Sequence, residues 1–585
     1  MNVPIDSIAD QSRYRPLRIW IPVILLALMA VARFVPGMVD DGPAMIWMIS
    51  AFGPLLVGII LLLWWLLLSR ARWTERVIGL LGLVAIFVVV VLLVHPSMQG
   101  PLVLVMTVPM GLAGFALGVI ACSRMLSFRR TLVGLAVAFV GAGCSLLFQN
   151  FGTRGDFAFE MDWRWNPTPE QLFLAEREAR GDAPGFDVNL EQADFDEPEW
   201  PGFRGPNRDG VQRGSKISSD WSTPPSEMWR IKIGPGWSSF AVAGDYLFTQ
   251  EQRGELDAVV CYQASTGDEV WASTVESRFF EALGGLGPRA TPTIASGKVY
   301  AMCAEGFLRC LKAENGSEVW SEDLRQVAKC SPPMWGFSSS PLVSDGIVAV
   351  HVGGDDEYGV IALDAESGEL RWSAPAGKQS YSSFQSIQLG AKQYLALLTD
   401  KGAQLVDPAN GQTALEYEWE HSGYRALQAQ LVEGNRLIIP TGMGTGTRLI
   451  EIEEVDGQLR GKELWTSRDM KPDFNDVVVN GGFLYGFDSQ VFACIRLQDG
   501  QRQWKGGRYG KGQVLLLADS GLLIVAAENG DLVLLRENPD EHEELARIKA
   551  LSGKTWNHPV VVGDRLFLRN AEEAVCFQLP TATID

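Results

Sequence analysis

The chain has 585 residues, 47% of them hydrophobic and 20% charged, with a formal charge of −19. It is too long for one ordinary domain, and the acidic surplus argues against nucleic acid, whose phosphates recruit Lys and Arg. Five histidines and eight cysteines are scattered without a CxxC pair, a CxxCH motif or adjacent cysteines, so neither zinc nor attached haem is expected.

The two ends differ. Over residues 1–150 five apolar runs (19–35, 44–68, 77–94, 102–122 and 131–148) follow one another across short loops. Each is near the length that crosses about 30 Å of hydrocarbon, which predicts five transmembrane helices. Arg13, Arg15 and Arg18 precede the first run. Arg70, Arg72 and Arg76 follow the second, and Arg124, Arg129 and Arg130 follow the fourth. The alternate loops hold Arg33 beside Asp40 and Asp41, and a stretch around His95 without Lys or Arg. Positive residues stay inside. The N-terminus is therefore expected in the cytoplasm and, after five crossings, the rest outside, which in a bacterial inner membrane means the periplasm. The first run lacks a trustworthy cleavage site and reads as an uncleaved anchor. The run interiors carry no Asp, Glu or Lys, which favours an anchor over a transport path.

Residues 151–196 read as an acidic linker. Thr168-Pro169-Glu170-Gln171 supplies an N-cap, a first-turn proline and a capping-box glutamine, so a short helix is expected to about Arg180, with Asp182–Glu199 extended.

The remainder repeats. CYQASTGDEVW (261–271), CLKAENGSEVW (310–320), ALDAESGELRW (362–372) and CIRLQDGQRQW (494–504) each place a Gly four residues before a Trp. Two further units are read as ending at Trp419 and Trp465, with Gly411 and Gly457 eight residues ahead. A second signal, a Gly-rich turn before an apolar strand, recurs eight times: at Gly244, Gly297, Asp345, Gly390, Gly434, Gly481, Ser520 and Gly563. A period of about 40–50 residues is that of a four-stranded propeller blade. The expectation is a multi-domain chain, an α-helical membrane bundle followed by an all-β eight-bladed propeller over 197–585. The repeated Trp is expected to pack between blades. Cys261, Cys310 and Cys494, with Cys576 in the same class, are expected at a position that wants a small buried side chain. Cys303 and Cys330 are left open. GMGTGT (442–447) mimics a phosphate loop but lies between strands and reads as a hairpin turn. The acidic run Asp355–Glu357 reads as an exposed turn.

With these units in view, ALDAESG with its following Trp, the opening WPGFRGPNRDGV (Trp200–Val211), GPRATPTI (Gly287–Ile294) and WGFSSSPLV (Trp335–Val343) resemble the bacterial PQQ-binding-like β-propeller repeat proteins, over about residues 197–580. The layout of spans and propeller is similar to that of membrane-bound quinoprotein glucose dehydrogenase. The superfamily implied holds both quinoprotein dehydrogenases and non-enzymatic propellers.

Ligands of propellers meet the chain where the innermost strands converge. Residues just ahead of those strands are the candidate ligand-binding set: Arg289, Trp335, Tyr381, Tyr424, Asn475, Lys511, Trp556, Asn557 and His558. Rings with a few cations suit a flat, anionic molecule. The resemblance implies pyrroloquinoline quinone (PQQ) with calcium as the group to test, with Asp476 as the candidate catalytic base. Ser and Thr in the same segments could simply cap strand ends, and Trp335 and Trp556 could fill the axis. Two functions follow: a membrane-anchored scaffold binding a protein or small ligand, or a PQQ-dependent dehydrogenase passing electrons from an alcohol or sugar to membrane quinone.

Overall fold

The computed structural model describes residues 17–36, 44–125, 127–155, 158–180, 194–354, 357–378 and 380–582. Arg13, Arg15, Asp40, Asp41, the linker stretch Asp182–Ala193 and Asp355–Asp356 lie outside the described residues. The chain divides into two compact units, Met1–Pro167 with Glu281–Gly285, and Thr168–Phe280 with Leu286–Asp585.

The first unit is helical. Its helices are α1 (Trp20–Phe34), α2 (Ala44–Leu63, prolonged by a π turn to Leu68), α3 (Trp73–Leu93), α4 (Val108–Ala121, after a π turn from Val103) and α5 (Ser127–Gly143). Four segments among the described residues are long and apolar enough to cross a membrane: Met48–Leu68, Trp73–Leu93, Val103–Ala121 and Phe128–Leu147. Four of the five expected runs thus reach spanning length among the described residues, and the first forms the shorter apolar helix α1. The first run folds into only 15 helical residues, a rise of roughly 22 Å against about 30 Å of hydrocarbon.

Helices α4 and α5 touch through glycines. A Cβ at Gly114 would stand 2.6 Å from the Val137 carbonyl, and one at Gly118 2.8 Å from Gly134 Cα. Small residues let backbones approach where lipid gives no hydrophobic drive to association. Outward-facing side chains stay apolar: Leu81 is 63% and Leu92 77% exposed. One ion pair is buried here. Glu75, in the first turn of α3, accepts two bonds from the Arg130 guanidinium, at 2.9 and 3.1 Å, and one from the Arg72 N–H at 3.2 Å. A hairpin of β1 (Phe148–Thr153) and β2 (Phe159–Trp163) follows α5.

The second unit opens with α6 (Pro169–Arg180). Its capping box is closed as the residues predict: Gln171 N–H donates to Thr168 Oγ1 and Thr168 N–H to Gln171 Oε1, at 3.1 and 2.9 Å.

Eight sheets then form the propeller, each with four antiparallel strands, blade 7 carrying a fifth, parallel strand at its inner edge. Seven are continuous in sequence: blades 1 (241–276), 2 (293–323), 3 (342–374), 4 (385–418), 5 (430–467), 6 (478–508) and 7 (513–549). Blade 8 takes three strands from 560–578 and its outermost strand from Ser226–Lys232.

The Gly–Trp spacing now has a cause. The Trp of one blade lies on the repeat Gly of the next and donates its indole N–H to a carbonyl there. Trp229 meets Gly267 and the Ala264 carbonyl; Trp271 meets Gly316 and the Ala313 carbonyl. Trp320 meets Gly368 and the Ala365 carbonyl; Trp372 meets Gly411 and the Pro408 carbonyl. Trp465 repeats the clasp with Gly500 and the Leu497 carbonyl. These N–H···O distances are 2.8–3.0 Å. The glycines have φ near +70°, a conformation that L side chains rarely adopt. Cys261, Cys310, Cys494 and Cys576 pair across strands with Trp271, Trp320, Trp504 and Trp229. They are buried, and all eight cysteines are free thiols.

Two units depart from the reading by spacing. In blade 4 the register places Leu415, not Trp419, at the clasp position, opposite Leu405. Trp419 lies beyond the strand and carries the Arg448 guanidinium 4.2 Å from its ring centroid. Gly457 is the turn of the long hairpin of blade 5 and meets no neighbouring Trp.

A methyl at Gly316, which has φ +70° and lies against Trp271, is expected to destabilise the propeller by about 2–4 kcal/mol. At Gly297, φ +71° with open space around it, the same change is expected to cost only about 1 kcal/mol. Urea unfolding of Gly316→Ala and Gly297→Ala, followed by tryptophan fluorescence, separates the two.

Candidate functional site

The segments ahead of the innermost strands form a belt around the axis. In five of them a backbone N–H donates to a side chain at the equivalent place in the next blade. Ser239 N–H reaches Thr291 Oγ1 (2.9 Å), Thr291 N–H reaches Ser340 Oγ (3.0 Å) and Ser340 N–H reaches Ser383 Oγ (2.9 Å). Ser383 N–H then reaches Gln428 Oε1 (2.7 Å) and Gln428 N–H reaches Asp476 Oδ1 (2.8 Å). Between blades 8 and 1 the Ser239 hydroxyl donates to the His558 carbonyl at 2.7 Å. The short polar residues are there because each buried N–H needs an acceptor. Asp476 is the sixth member of that relay.

The axis itself is filled by Trp200–Gln212. Trp200 bridges Val242 of blade 1, and the Pro201 carbonyl accepts from Ile294 N–H of blade 2. Arg208 donates to the Ser340 and Pro341 carbonyls at the entry to blade 3, and its own carbonyl accepts from Gln385 of blade 4. Arg204 donates to the Val477 carbonyl of blade 6 at 2.6 Å. Val211 and Gln212 pair in parallel with Leu516 and Leu517 of blade 7, and Phe203 meets His558 of blade 8 edge to face at 5.0 Å. Thirteen residues that touch the innermost region of seven blades can do so only on the axis. The filler anticipated at Trp335 and Trp556 is thus this segment.

Its winding is tight. Arg204 (φ +61°), Gly205 (φ +86°), Arg208 (φ +52°) and Gly210 (φ +72°) are all left-handed. Arg204 folds back onto the Asp209 carbonyl (2.9 Å), with its Nη1 3.7 Å from Asp476 Oδ2. Both arginines are buried, 2% and 6% exposed. Burial, with the Arg204 charge second, draws the Arg208 guanidinium down to about 9. Burial raises the Asp476 carboxyl, and the Arg204 charge opposes that rise. Desolvation, then Arg204, holds the His558 imidazole well below its ordinary value, so it is neutral.

Above this floor the anticipated residues form two groups. Trp335 meets Tyr424 edge to face at 4.0 Å and Tyr381 at 5.1 Å, and its backbone N–H donates to the Tyr381 hydroxyl at 3.3 Å. Arg289 bonds to the Trp335 carbonyl at 3.2 Å. Opposite, Trp556 meets Trp237 and Phe474, each at 4.9 Å, donates to Glu528 at 2.9 Å and carries the Lys554 ammonium 4.4 Å from its centroid. Lys511 is paired with Asp473. Asn475 accepts from Asp473 N–H at 3.0 Å, and Asn557 donates to the Gly236 and Ser238 carbonyls at 3.3 and 2.7 Å.

Trp237 belongs to the segments expected to face the axis, whereas Arg204, Arg208, Gln428, Phe474 and Lys554 were not in the sequence-derived set. The signal for the arginines was a run of turn residues, RGPNRDG (204–210), lying outside the repeat.

The sequence matches the family described as outer membrane protein assembly factor BamB over residues 221–334 and 289–506. It is 21% identical over 383 residues to the outer membrane protein assembly factor BamB of Yersinia pestis, covering 60% of this chain and 88% of that protein. Among solved structures it is similar to BamB from Moraxella catarrhalis, at 14% identity and a TM-score of 0.45, covering 61% of this chain and 100% of that one. It is also similar to quinohemoprotein alcohol dehydrogenase ADHIIG from Pseudomonas putida HK5, at 15% identity and a TM-score of 0.49, covering 69% and 84%.

Proposed function

We propose that this chain is a membrane-anchored scaffold that binds a protein partner at its eight-bladed, PQQ-like propeller. The observation that carries this reading is the self-occupied axis. A bound quinone with calcium needs carboxylate and amide oxygens turned to one cation. Here Asp476 gives one oxygen to the relay and faces the Arg204 guanidinium with the other. Asn475 Oδ1 serves Asp473 N–H. Asn557 Oδ1 and Gln513 Oε1 remain without a bond, fewer than the roughly six to eight oxygens that calcium takes, so the donor set does not fit PQQ with calcium and no catalytic step is derived through it. The likeness to an outer membrane protein assembly factor supports a protein partner.

The test is reconstitution. Full-length protein in detergent, incubated with PQQ and calcium and passed through a desalting column, is expected to retain no quinone absorbance and to reduce no dye with alcohols or sugars. Stoichiometric retention of the quinone would overturn the scaffold reading in favour of the dehydrogenase.

In this proposal the helical unit sits in a bacterial inner membrane with the N-terminus in the cytoplasm and the propeller in the periplasm. The arginine-rich loops support it. It requires α1 to act as a fifth crossing despite its 15 residues. Alkaline phosphatase fused after Asp585 is expected to be active and green fluorescent protein dark; the reverse pair of results would mean an even number of crossings.

A further inference from the structure

Resting on the membrane-anchored reading, we infer that the hairpin β1–β2 is seated on the bilayer surface, with Trp163 and Trp165 lodged among the lipid headgroups where the last spanning segment leaves the hydrocarbon. The chain leads straight there. The apolar segment Phe128–Leu147 ends at the residue before β1, and the hairpin belongs to the same helical unit. It is then pinned to the ends of two helices. Arg164 N–H donates to the Leu147 carbonyl at 2.8 Å, and its guanidinium donates to the carbonyl of Leu93, the last residue of α3, at 3.0 Å. Asn150 N–H donates to Ser97 Oγ, just beyond α3, at 2.9 Å. The hairpin thus lies level with the helix ends, the depth at which spanning helices meet headgroups.

The two faces of the hairpin differ. Side chains alternate along a strand, so Phe159, Met161 and Trp163 share one face of β2 while Glu160 and Asp162 take the other. Phe148 pairs with Trp163 across the strands. On the apolar face Phe148 and Phe159 pack on Val94, Met98 and Leu102, between α3 and α4, so this face is turned toward the helices. Past those contacts it runs on uncovered: Met161, Trp163 and Trp165 are 37%, 43% and 66% exposed. The rings are nevertheless ordered. Phe148 stacks on Trp163 at 4.9 Å and 19°, and Trp163 on Trp165 at 5.0 Å and 12°. Continuity selects the occupant, because Leu93 and Leu147, at the ends of the apolar segments, are themselves exposed at this level. An apolar face turned toward spanning helices and level with their ends meets lipid. An indole, with an apolar body and one N–H, favours that boundary over both water and hydrocarbon.

The experiment places photoreactive p-benzoylphenylalanine singly at Met161, Trp165, Glu160 or Val84, the last an exposed residue midway along α3. The full-length protein is reconstituted in vesicles of phosphatidylethanolamine and phosphatidylglycerol, illuminated and read by mass spectrometry. Phospholipid adducts are expected at Met161 and Trp165, joined near the glycerol, and at Val84, joined along the acyl chain, with little at Glu160 on the polar face. In the protein labelled at Met161, Trp165→Glu is expected to lower the lipid adduct about fivefold and Trp165→Tyr to keep it. Lipid adducts at Val84 with none at Met161 and Trp165, an equal yield at Glu160, adducts to a second copy of the chain, or a yield indifferent to Trp165→Glu would each overturn the seating and leave the anchor standing. Absence of lipid adducts at Val84 as well would overturn the anchor, and the seating with it.

Discussion

Arg204→Met is expected to lower the unfolding free energy of the propeller by about 3–5 kcal/mol, the usual cost of removing one member of a buried ionic group. Three carbonyls lose a donor, those of Arg208, Asp209 and Val477, the first keeping Gln385 and the last Gln430. Asp476, 2% exposed, loses the cation that faces it. The Val477 bond ties residues 273 positions apart, so its loss frees the axial segment from blade 6. Adding Asp476→Asn is expected to recover about 1 kcal/mol or more, because the orphaned charge disappears while an amide oxygen still accepts from Gln428 N–H. Urea unfolding of the three variants measures this cycle. A loss below about 1 kcal/mol in Arg204→Met would mean that the segment is not held by its arginine.

The second large effect concerns acid. His351 ends the second strand of blade 3, is 3% exposed and meets the Ala376 carbonyl through Nε2 at 3.3 Å. A carbonyl only accepts, so Nε2 carries a proton. Burial, opposed by the Ala376 carbonyl and Asp400, draws its pKa down from 6.5 to about 4. With the folded value depressed, the unfolded chain takes up the proton first as pH falls. Stability from this site is full above about pH 6.5, erodes between 6.5 and 4 and changes no further below. The expected loss between pH 7.5 and 4.5 is about 2–3 kcal/mol. His351→Gln, which has no proton to gain, is expected to show a pH dependence flatter by that amount.

Much of this architecture was legible in the residues. The blade count followed from eight turn-and-strand signals, and Thr168 to Gln171 announced a helix start that closes as a capping box. The Trp spacing marked packing, because an indole needs both a flat floor and an acceptor, and Gly267 with the Ala264 carbonyl supplies both to Trp229. Spacing misled at Trp419, where blade 4 uses Leu415 instead; any apolar side chain opposite Leu405 satisfies the sheet, so the aromatic marker shifted without disturbing the fold. The first apolar run gave the place of α1 but not its ends, since hydropathy does not say where a helix stops. The axial segment was not legible as such. Its motif stood in view, but its meaning lies in contacts made with seven blades, and no local period reports those. The short polar residues ahead of the strands were read as caps or as pocket lining. They turn out to be acceptors for a neighbour's N–H, a role visible only once the ring is closed.

Closure itself has a consequence for how the molecule is made. Trp229 pairs with Cys576, so an outermost strand synthesised early must wait for nearly the whole of the remaining polypeptide before it finds its sheet. Such distant pairing slows folding. A chain interrupted before residue 560 would leave Ser226–Lys232 as an unpaired edge, open to another nascent copy. Ring completion thus doubles as a proofreading step: only a full-length translation product hides that strand.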